Sequence, residues 1–300
     1  MQFAGCREAG VEPVARYARP RSLDEALGLL AEGRWRILAG GTDFYPALGA
    51  KPLNEDVLDV SLLAGELAGI GEADDHFVIG GLTRWTEIVR ASLPPAFDAL
   101  KLAAREVGSV QIQNRATIAG NLCNASPAAD GVPPLLVLDA EVELSSHIGV
   151  RTLPLGQFIL GNRQTARAPT ELLTSIRIPK RSASGRSGFI KLGSRRYLVI
   201  SIAMAAARIS AGPDGYVEKA SIAVGACSPV ARRLTGLERV LVGRPANEML
   251  AAAVEPGHLS GLSPIDDVRA SAAYRADAAL EIVVRAIRMA VGGQTGEMAA

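Results

Sequence analysis

The chain has little of what metal and acid–base chemistry usually draw on. It carries three cysteines and three histidines among 300 residues. Cys6, Cys123 and Cys227 are far apart, and none of His76, His147 and His258 sits beside a cysteine or another histidine. An iron–sulfur cluster usually needs four thiolates and a structural zinc four close ligands, so the chain is expected to hold no metal of its own. Neither sign of charge is in excess: Lys+Arg 32 against Asp+Glu 31 leaves +1. Without a strong long-range field, nucleic acid and anionic membranes are poor partners, which leaves small molecules and other proteins. No run of about 18 apolar residues occurs, so no membrane insertion is expected. The N-terminus, "MQFAGCREAGVEPVARYARP", meets charges before any apolar stretch develops, unlike a secretory signal. A cytoplasmic location is the expectation. Also missing are a G-x-G-x-x-G that opens a helix, a G-x-x-x-x-G-K-S/T phosphate loop, a Ser-His-Asp triad, paired carboxylates and a Cys-His pair.

What is present is an ordinary globular balance, 48% apolar and 21% charged, long enough for two domains or one large α/β unit. Ser22 and Glu25 form a capping-box pattern that opens a helix, "LDEALGLLAEG", closed by Gly33. A short buried-type strand at 36–39 stops at Gly40-Gly41. "DVLDVSLL" and "HFVIGGLT" read as strands, the second ending at Gly80-Gly81. "RWTEIVRAS" and "PPAFDALKLAAREVG" read as helices, the latter with prolines in its first turn and Gly108 at its end. "AEVELSS" and "ELLTSIRIP" are strands, and 180–188, "KRSASGRSG", has the composition of a flexible domain boundary. Two long strands follow, "ISIAMAAARIS" and "VEKASIAVGAC", joined at a Pro-Asp-Gly turn. Helices come next near 234–243, 246–254 and 270–291. The pattern is α+β or α/β, and the first sixteen or so residues match no element.

Three segments carry polar chemistry. Gly40-Gly41-Thr42-Asp43 follows a strand. Adjacent glycines let backbone N–H groups approach a ligand, and successive N–H groups suit a pyrophosphate; a plain tight turn is the competing reading. Residues 117–130, "TIAGNLCNASPAAD", show neither a helical nor a strand period. Thr117, Gly120, Asn121, Asn124, Ser126 and Asp130 supply donors and acceptors there, which fits a polar ligand or an ordinary loop. Cys123 fits an inert small residue better than a reactive thiol. Lys191, in "GFIKLGSRRYL", either contacts an anionic or electron-accepting ligand or stands on a solvated strand edge. Arg195, Arg196, Arg232 and Arg233 read as solvated charges or subunit contacts.

"ILAGGTDFYP", "GGLT", "TIAGNLCNASPAAD", "ELLTSIRIP" and "FIKLGSRR" occur in the order in which one family has them. From "YARPRSLDEAL" to "YRADAALEIVVRAI" the chain resembles the FAD-binding medium subunit of the molybdenum hydroxylases, relatives of xanthine dehydrogenase and carbon monoxide dehydrogenase. The resemblance implies an α+β protein. At 13–180 it puts a vanillyl-alcohol-oxidase-type FAD-binding domain of two α/β subdomains, and at 186–292 a C-terminal α+β domain, an antiparallel sheet backed by helices. It implies that Ile37, Leu38, Ala39, Gly40, Gly41, Thr42, Asp43 and Phe44 hold the pyrophosphate side of FAD. Thr117, Ile118, Ala119, Gly120 and Asn121 would form a second clasp, with Asp130 hydrogen-bonding the flavin. Leu173 and Lys191 match further FAD contacts, and Val107 or Gly108 is a lesser match. Phe44 stands where leucine is common and Ala119 where glycine is common. The family's acidic residue after "KLGSRR" has no counterpart in "YLVIS", which leaves acceptor preference open. Three scattered cysteines exclude the four-cysteine insertion of some relatives.

On this resemblance the chain is an electron-transfer subunit of an oxidoreductase, with no acid–base residue and no metal. Molybdopterin would reside on a large partner subunit and two-iron–two-sulfur clusters on a small one, assembled as a dimer of heterotrimers. Electrons would pass from those clusters through FAD to an external acceptor. A standalone FAD-dependent oxidase of the vanillyl-alcohol-oxidase type is the alternative, although "AGGTDF" lacks the histidine that often attaches such a flavin. A non-enzymatic scaffold that kept the fold is a third reading.

Overall fold

The computed structural model describes residues 15–50, 52–195 and 198–292. Most of the N-terminal extension, with Cys6, and the Arg196-Tyr197 pair lie outside the described residues. Three short strands, β1 (Tyr17–Ala18), β2 (Arg36–Leu38) and β3 (Val57–Asp59), run parallel in the order β1-β3-β2. The Leu23–Glu32 helix crosses from β1 to β2 and buries Ala26, Leu27 and Leu30 against Leu58, Val60 and Leu63. Ser22 caps this helix by accepting from the Glu25 amide, but the Glu25 carboxylate takes the amide of Arg21, one residue short of the expected capping box. "DVLDVSLL" is extended only as far as Asp59. There the carboxylate accepts from the Ser61 amide and starts a 3-10 turn, Val60–Leu63, that ends the strand.

The second sheet comprises β4 (Ile70–Glu72), β5 (His76–Gly80), β6 (Glu141–Ser146) and β7 (Gly149–Pro154). A two-stranded ribbon, β8 (Ile159–Gly161) and β9 (Gln164–Thr165), precedes its last member, β10 (Leu172–Pro179). Its order is β4-β5-β10-β6-β7, antiparallel throughout. Ile79, Val142, Leu144 and Ile176 of this sheet share a core with Trp85, Phe97, Ile118, Leu122 and Leu135 from the helices that cover it.

The third sheet is β11 (Arg186–Leu192), β12 (Ala203–Ala211), β13 (Val217–Gly225) and β14 (Arg232–Arg233), paired antiparallel in chain order. Side chains on β12 alternate between faces. Ala203, Ala205, Ala207 and Ile209 pack on Ala279, Val283, Ala286 and Ile287 of the long Ala272–Gly292 helix. Met204 and Ala206 face the other way, onto Ala99, Ala103 and Val137 from the first half of the chain. The sheet is therefore buried on both sides, and the small alanines let elements approach both. This arrangement corrects only the expected flexibility of 180–188, which is ordered as a 3-10 turn, Lys180–Ser182, and the start of β11. Two of its three serines are buried: the Ser182 hydroxyl donates to Asp139, while that of Ser187 donates to the Ala96 carbonyl and accepts from the Ala99 amide. A second correction lies at 246–254, where the ordered element is a 3-10 turn, Glu248–Ala253. No helix among the described residues is long and apolar enough to cross a membrane.

One buried guanidinium fixes the start of the long helix. Arg275 donates to the carbonyls of Ile202 (2.5 Å) and Ala226 (3.2 Å) and to the Asp267 carboxylate (2.7 Å). The Asp267 carboxyl is pulled down to about 2, first by the Arg269 amide and further by Arg275. A carboxyl held low in the folded state adds stability above its ordinary value of about 4 and loses it as pH falls through the folded one. Asp267→Asn should therefore lower the melting temperature near neutrality, and the gap to wild type should narrow as pH drops below about 4. Thermal melts across that range check this; a gap independent of pH would remove the carboxylate from the account.

Candidate functional site

The site begins where β2 runs out. A Cβ on Gly40 would lie 2.1 Å from the carbonyl oxygen of Arg115, so no other residue fits without moving backbone. Gly41 has φ +78, a left-handed conformation that glycine adopts readily. Together they turn the chain into the short Phe44–Leu48 helix and press the strand end against 115–116. Thr117 comes next in the chain and caps a second helix, Ile118–Asn124, by accepting from the Gly120 amide at 3.1 Å. Ile118, Ala119 and Leu122 are its buried residues. That helical spacing was hidden by the small and polar residues around it, so the reading of 117–130 as aperiodic is corrected.

Both segments line one cleft of about 1200 Å3. Of the residues singled out in the sequence, Ile37, Ala39, Gly40, Gly41, Thr42, Asp43, Phe44, Val107, Thr117, Ala119, Gly120, Asn121 and Leu173 belong to its wall. Leu38 and Ile118 do not; their side chains are buried behind the two segments. Asp130 and Lys191 also stand outside the wall, paired with each other.

The two segments differ in what their backbones offer. Among the described residues, nothing accepts from the amides of Gly41, Thr42, Asp43 and Phe44. Four successive amides at a turn suit an anion. In the other segment the four amides that open the helix are already used. Ile118 donates to Thr83 O (2.9 Å), Ala119 to Gly81 O (3.1 Å), Gly120 to the Thr117 hydroxyl and Asn121 to Thr117 O (3.1 Å). This wall therefore offers shape and side chains. The buried Oδ1 of Asn121 has no protein donor.

Charge in the cleft is positive. Arg16, Arg34, Arg36, Arg163 and Arg167 line it against Asp43, Glu55 and Asp56, an excess of two. Arg16 pairs with Asp56 (2.6 Å) and Arg36 with Glu55 (3.0 Å), while Arg163 donates to Asn124 and Arg167 to the carbonyls of Ala168 and Glu171. Sequence reading missed all five, because no local pattern says that a turn at 162–163 folds onto a helix forty residues earlier. The tie is visible only in space: Arg163 sits at φ +59 with its amide on the Ala125 carbonyl. Cys123 also lines the cleft, and burial pushes its thiol up to about 11. With no thiolate to offer, it matches the inert reading.

Lys191 is not on a solvated edge, since its side chain is only 5% exposed. Its Nζ donates to Asp130 Oδ2 (2.6 Å) and to the Glu106 carbonyl (3.1 Å), and Ser201 donates to Asp130 Oδ1 (2.6 Å). Burial pushes the Asp130 carboxyl up, opposed by the Lys191 ammonium and the Ser201 hydroxyl. The cluster joins the stretch after the second segment to β11 and to the start of β12. Arg233 is likewise not a free surface charge: it binds Glu238 (2.5 Å) and Asp139 (2.8 Å). Arg195 donates to the Leu198 carbonyl, and Arg232 is exposed.

Residues 11–181 match the family described as the FAD binding domain in molybdopterin dehydrogenase, and residues 189–290 match the CO dehydrogenase flavoprotein C-terminal domain. The chain belongs to this family. It is 30% identical to the 6-hydroxypseudooxynicotine dehydrogenase complex subunit alpha of Paenarthrobacter nicotinovorans, over 93% of this chain and 95% of that one. It is 29% identical to the xanthine dehydrogenase FAD-binding subunit of Escherichia coli O157:H7, over 95% and 98% of the two chains. Among solved structures, the reconstituted CO dehydrogenase from Oligotropha carboxidovorans superposes with a TM-score of 0.85 at 27% identity, covering 94% of this chain and 99% of that chain. The residues present suit FAD: four free amides and an arginine excess match a pyrophosphate, and the orphaned Asn121 oxygen calls for a donor such as a cofactor hydroxyl or ring N–H.

Breaking a buried ion pair from one side leaves an uncompensated charge and costs about 3–5 kcal/mol. Lys191→Met and Asp130→Asn should each lower stability by an amount in that range, and the double variant should cost clearly less than both together. Urea denaturation of the four proteins checks this; strict additivity would show that the two residues act independently.

Proposed function

We propose that the chain is the FAD-carrying electron-transfer subunit of a heteromeric molybdenum hydroxylase or dehydrogenase. Its partners on this reading are a small subunit with two-iron–two-sulfur clusters and a large molybdopterin subunit, joined as a dimer of heterotrimers in the cytoplasm. Electrons come from the small subunit and leave to an external acceptor. The names of the relatives support this, since each is a dehydrogenase or one of its subunits. The single observation that carries the reading is the contact of Gly40 with the Arg115 carbonyl. It brings a run of free amides and a smooth helical wall onto one cleft, as a dinucleotide with two negative charges at its centre requires.

Bound FAD would supply the step between single-electron donors and an acceptor that takes one or two. The protein's part is to hold and orient. The amides of Gly41 to Phe44 and the arginine excess take the pyrophosphate, and Thr42 and Asp43 offer a hydroxyl and a carboxylate to sugar hydroxyls. Gly120 and Ala119 allow close approach along the opposite wall, where the Asn121 Oδ1 accepts from a cofactor donor. Ile37, Ala39, Val107 and Leu173 exclude water from the apolar parts. Leu38 and Ile118 act from behind the walls. Asp130 and Lys191 support the cleft from behind its wall through their mutual pair. The division into 13–180, as two α/β subdomains of the vanillyl-alcohol-oxidase type built on the first two sheets, and 186–292 belongs to the same proposal. No histidine lines the cleft among the described residues, which gives a standalone oxidase neither an attachment point nor an imidazole base.

The purified chain should be yellow, carry close to one FAD, and bring two partners with it. Gly40→Val should cut FAD content about ten-fold or more, because the side chain must displace backbone. Flavin absorbance against protein mass measures this, and full occupancy in the variant would overturn the reading.

A further inference from the structure

Arg36 and Phe44 stand one on each side of the glycine turn, and both line the cleft. The Arg36 guanidinium carbon lies 4.3 Å from the centroid of the Phe44 ring, within cation–π range. Glu55 pairs with the guanidinium at 3.0 Å, and the Tyr45 ring meets Phe44 edge-on at 5.4 Å and 73°. The Phe44–Leu48 helix has no buried residue, and Phe44 belongs to none of the hydrophobic cores. Its ring is an apolar surface kept beside a guanidinium in an open cleft. An aromatic and a guanidinium held this way form a stacking surface for a planar heterocycle.

We infer that Arg36 and Phe44 form a ring platform on which a planar heterocycle of the dinucleotide stacks, with Glu55 as a positioning residue that keeps the guanidinium in place. The inference rests on the FAD reading above. The platform adjoins the amide run, because Phe44 contributes the last of the four free amides. A diphosphate bound there lies one sugar or one ribityl chain from a ring at either end. Adenine and isoalloxazine share the chemistry that the platform recognises.

The test uses the full chain, freed of flavin and titrated with FAD, FMN and ADP, with affinity read from flavin fluorescence or from displacement of FAD. Phe44→Leu keeps apolar bulk but removes the ring, and Arg36→Lys keeps the charge but removes the planar fork. Each should weaken FAD about 5- to 150-fold, the span expected for loss of one base stack. Glu55→Gln should produce a smaller loss, and Glu55→Asp should restore part of it. Circular dichroism and melting temperature should match wild type in each. If adenine is the ring, ADP weakens in parallel and FMN does not; if isoalloxazine is the ring, FMN weakens in parallel and its visible band shifts. Unchanged FAD affinity in both folded variants would overturn the platform. Failure of the wild-type chain to take up FAD at all would instead overturn the cofactor reading on which it rests.

Discussion

The Cα of Gly40 and the carbonyl of Arg115 occupy space that a single methyl group would fill. Every other feature of the cleft depends on that closeness. It sets the end of a parallel strand against the entry to a helix 75 residues later, so two segments that are each too polar to build a core become opposite walls. The second glycine pair does similar work. A Cβ on Gly80 would strike the Leu67 carbonyl at 2.4 Å, and one on Gly81 the Leu173 carbonyl at 2.5 Å. Gly81 also accepts from the Ala119 amide, so one residue registers β10, the second sheet and the Thr117 segment together. Backbone packed on backbone is stiff, because neither side has a rotamer to change.

Attachment of the third sheet follows a different logic. Its alanine-rich face supplies contact area, but the fixed points are buried charges. Arg208, 2% exposed, donates to the Val137 carbonyl and to Asp139, while Arg233 spans Asp139, the Leu136 carbonyl and Glu238. Lys191 does the same job next to the cleft, through Asp130 and the Glu106 carbonyl. Buried charges are costly unless paired, and Asp139 and Asp130 meet Arg208, Arg233 and Lys191 only when the C-terminal sheet is seated in one position. A displaced sheet would leave several charges unpaired at once, which makes the seating specific as well as stable. Val107, one residue beyond Glu106, lines the cleft, so this seating also bears on the shape of the site.

What could be read in the sequence was mostly what the backbone alone decides. Adjacent glycines after an apolar strand announce a sharp turn whatever surrounds them, and Gly40-Gly41 and Gly80-Gly81 proved to be such turns. Alternation and helical period placed β12, β13 and the Ala272–Gly292 helix close to their observed limits. The Ile118–Asn124 helix escaped, since three buried residues among polar neighbours give too weak a period. Ser182 and Ser187 looked like linker because a serine's partner is invisible until tertiary contacts form. The pairing of Lys191 and the place of the cleft arginines escaped for a related reason: a charge in a sequence carries no sign of whether it will be paired, buried or turned to solvent.

The resemblance implied two clasps, and the backbones of the two segments differ in what they leave free. The first segment keeps four amides unspent and sits among arginines, which suits a negative charge. The second uses the amides of Ile118 to Asn121 in holding its own helix against Gly81, Thr83 and Thr117, so it offers mainly shape. The difference has a physical origin. A turn forced by glycine leaves its N–H groups pointing away from the strand it ends, whereas a capped helix must satisfy its first amides or lose stability. Substitutions should divide along the same line. Those at 40–44 act on whatever carries negative charge in the cleft, while a side chain at Gly120 would first press on the Thr117 hydroxyl, 2.9 Å from the position of its Cβ, and loosen the wall itself.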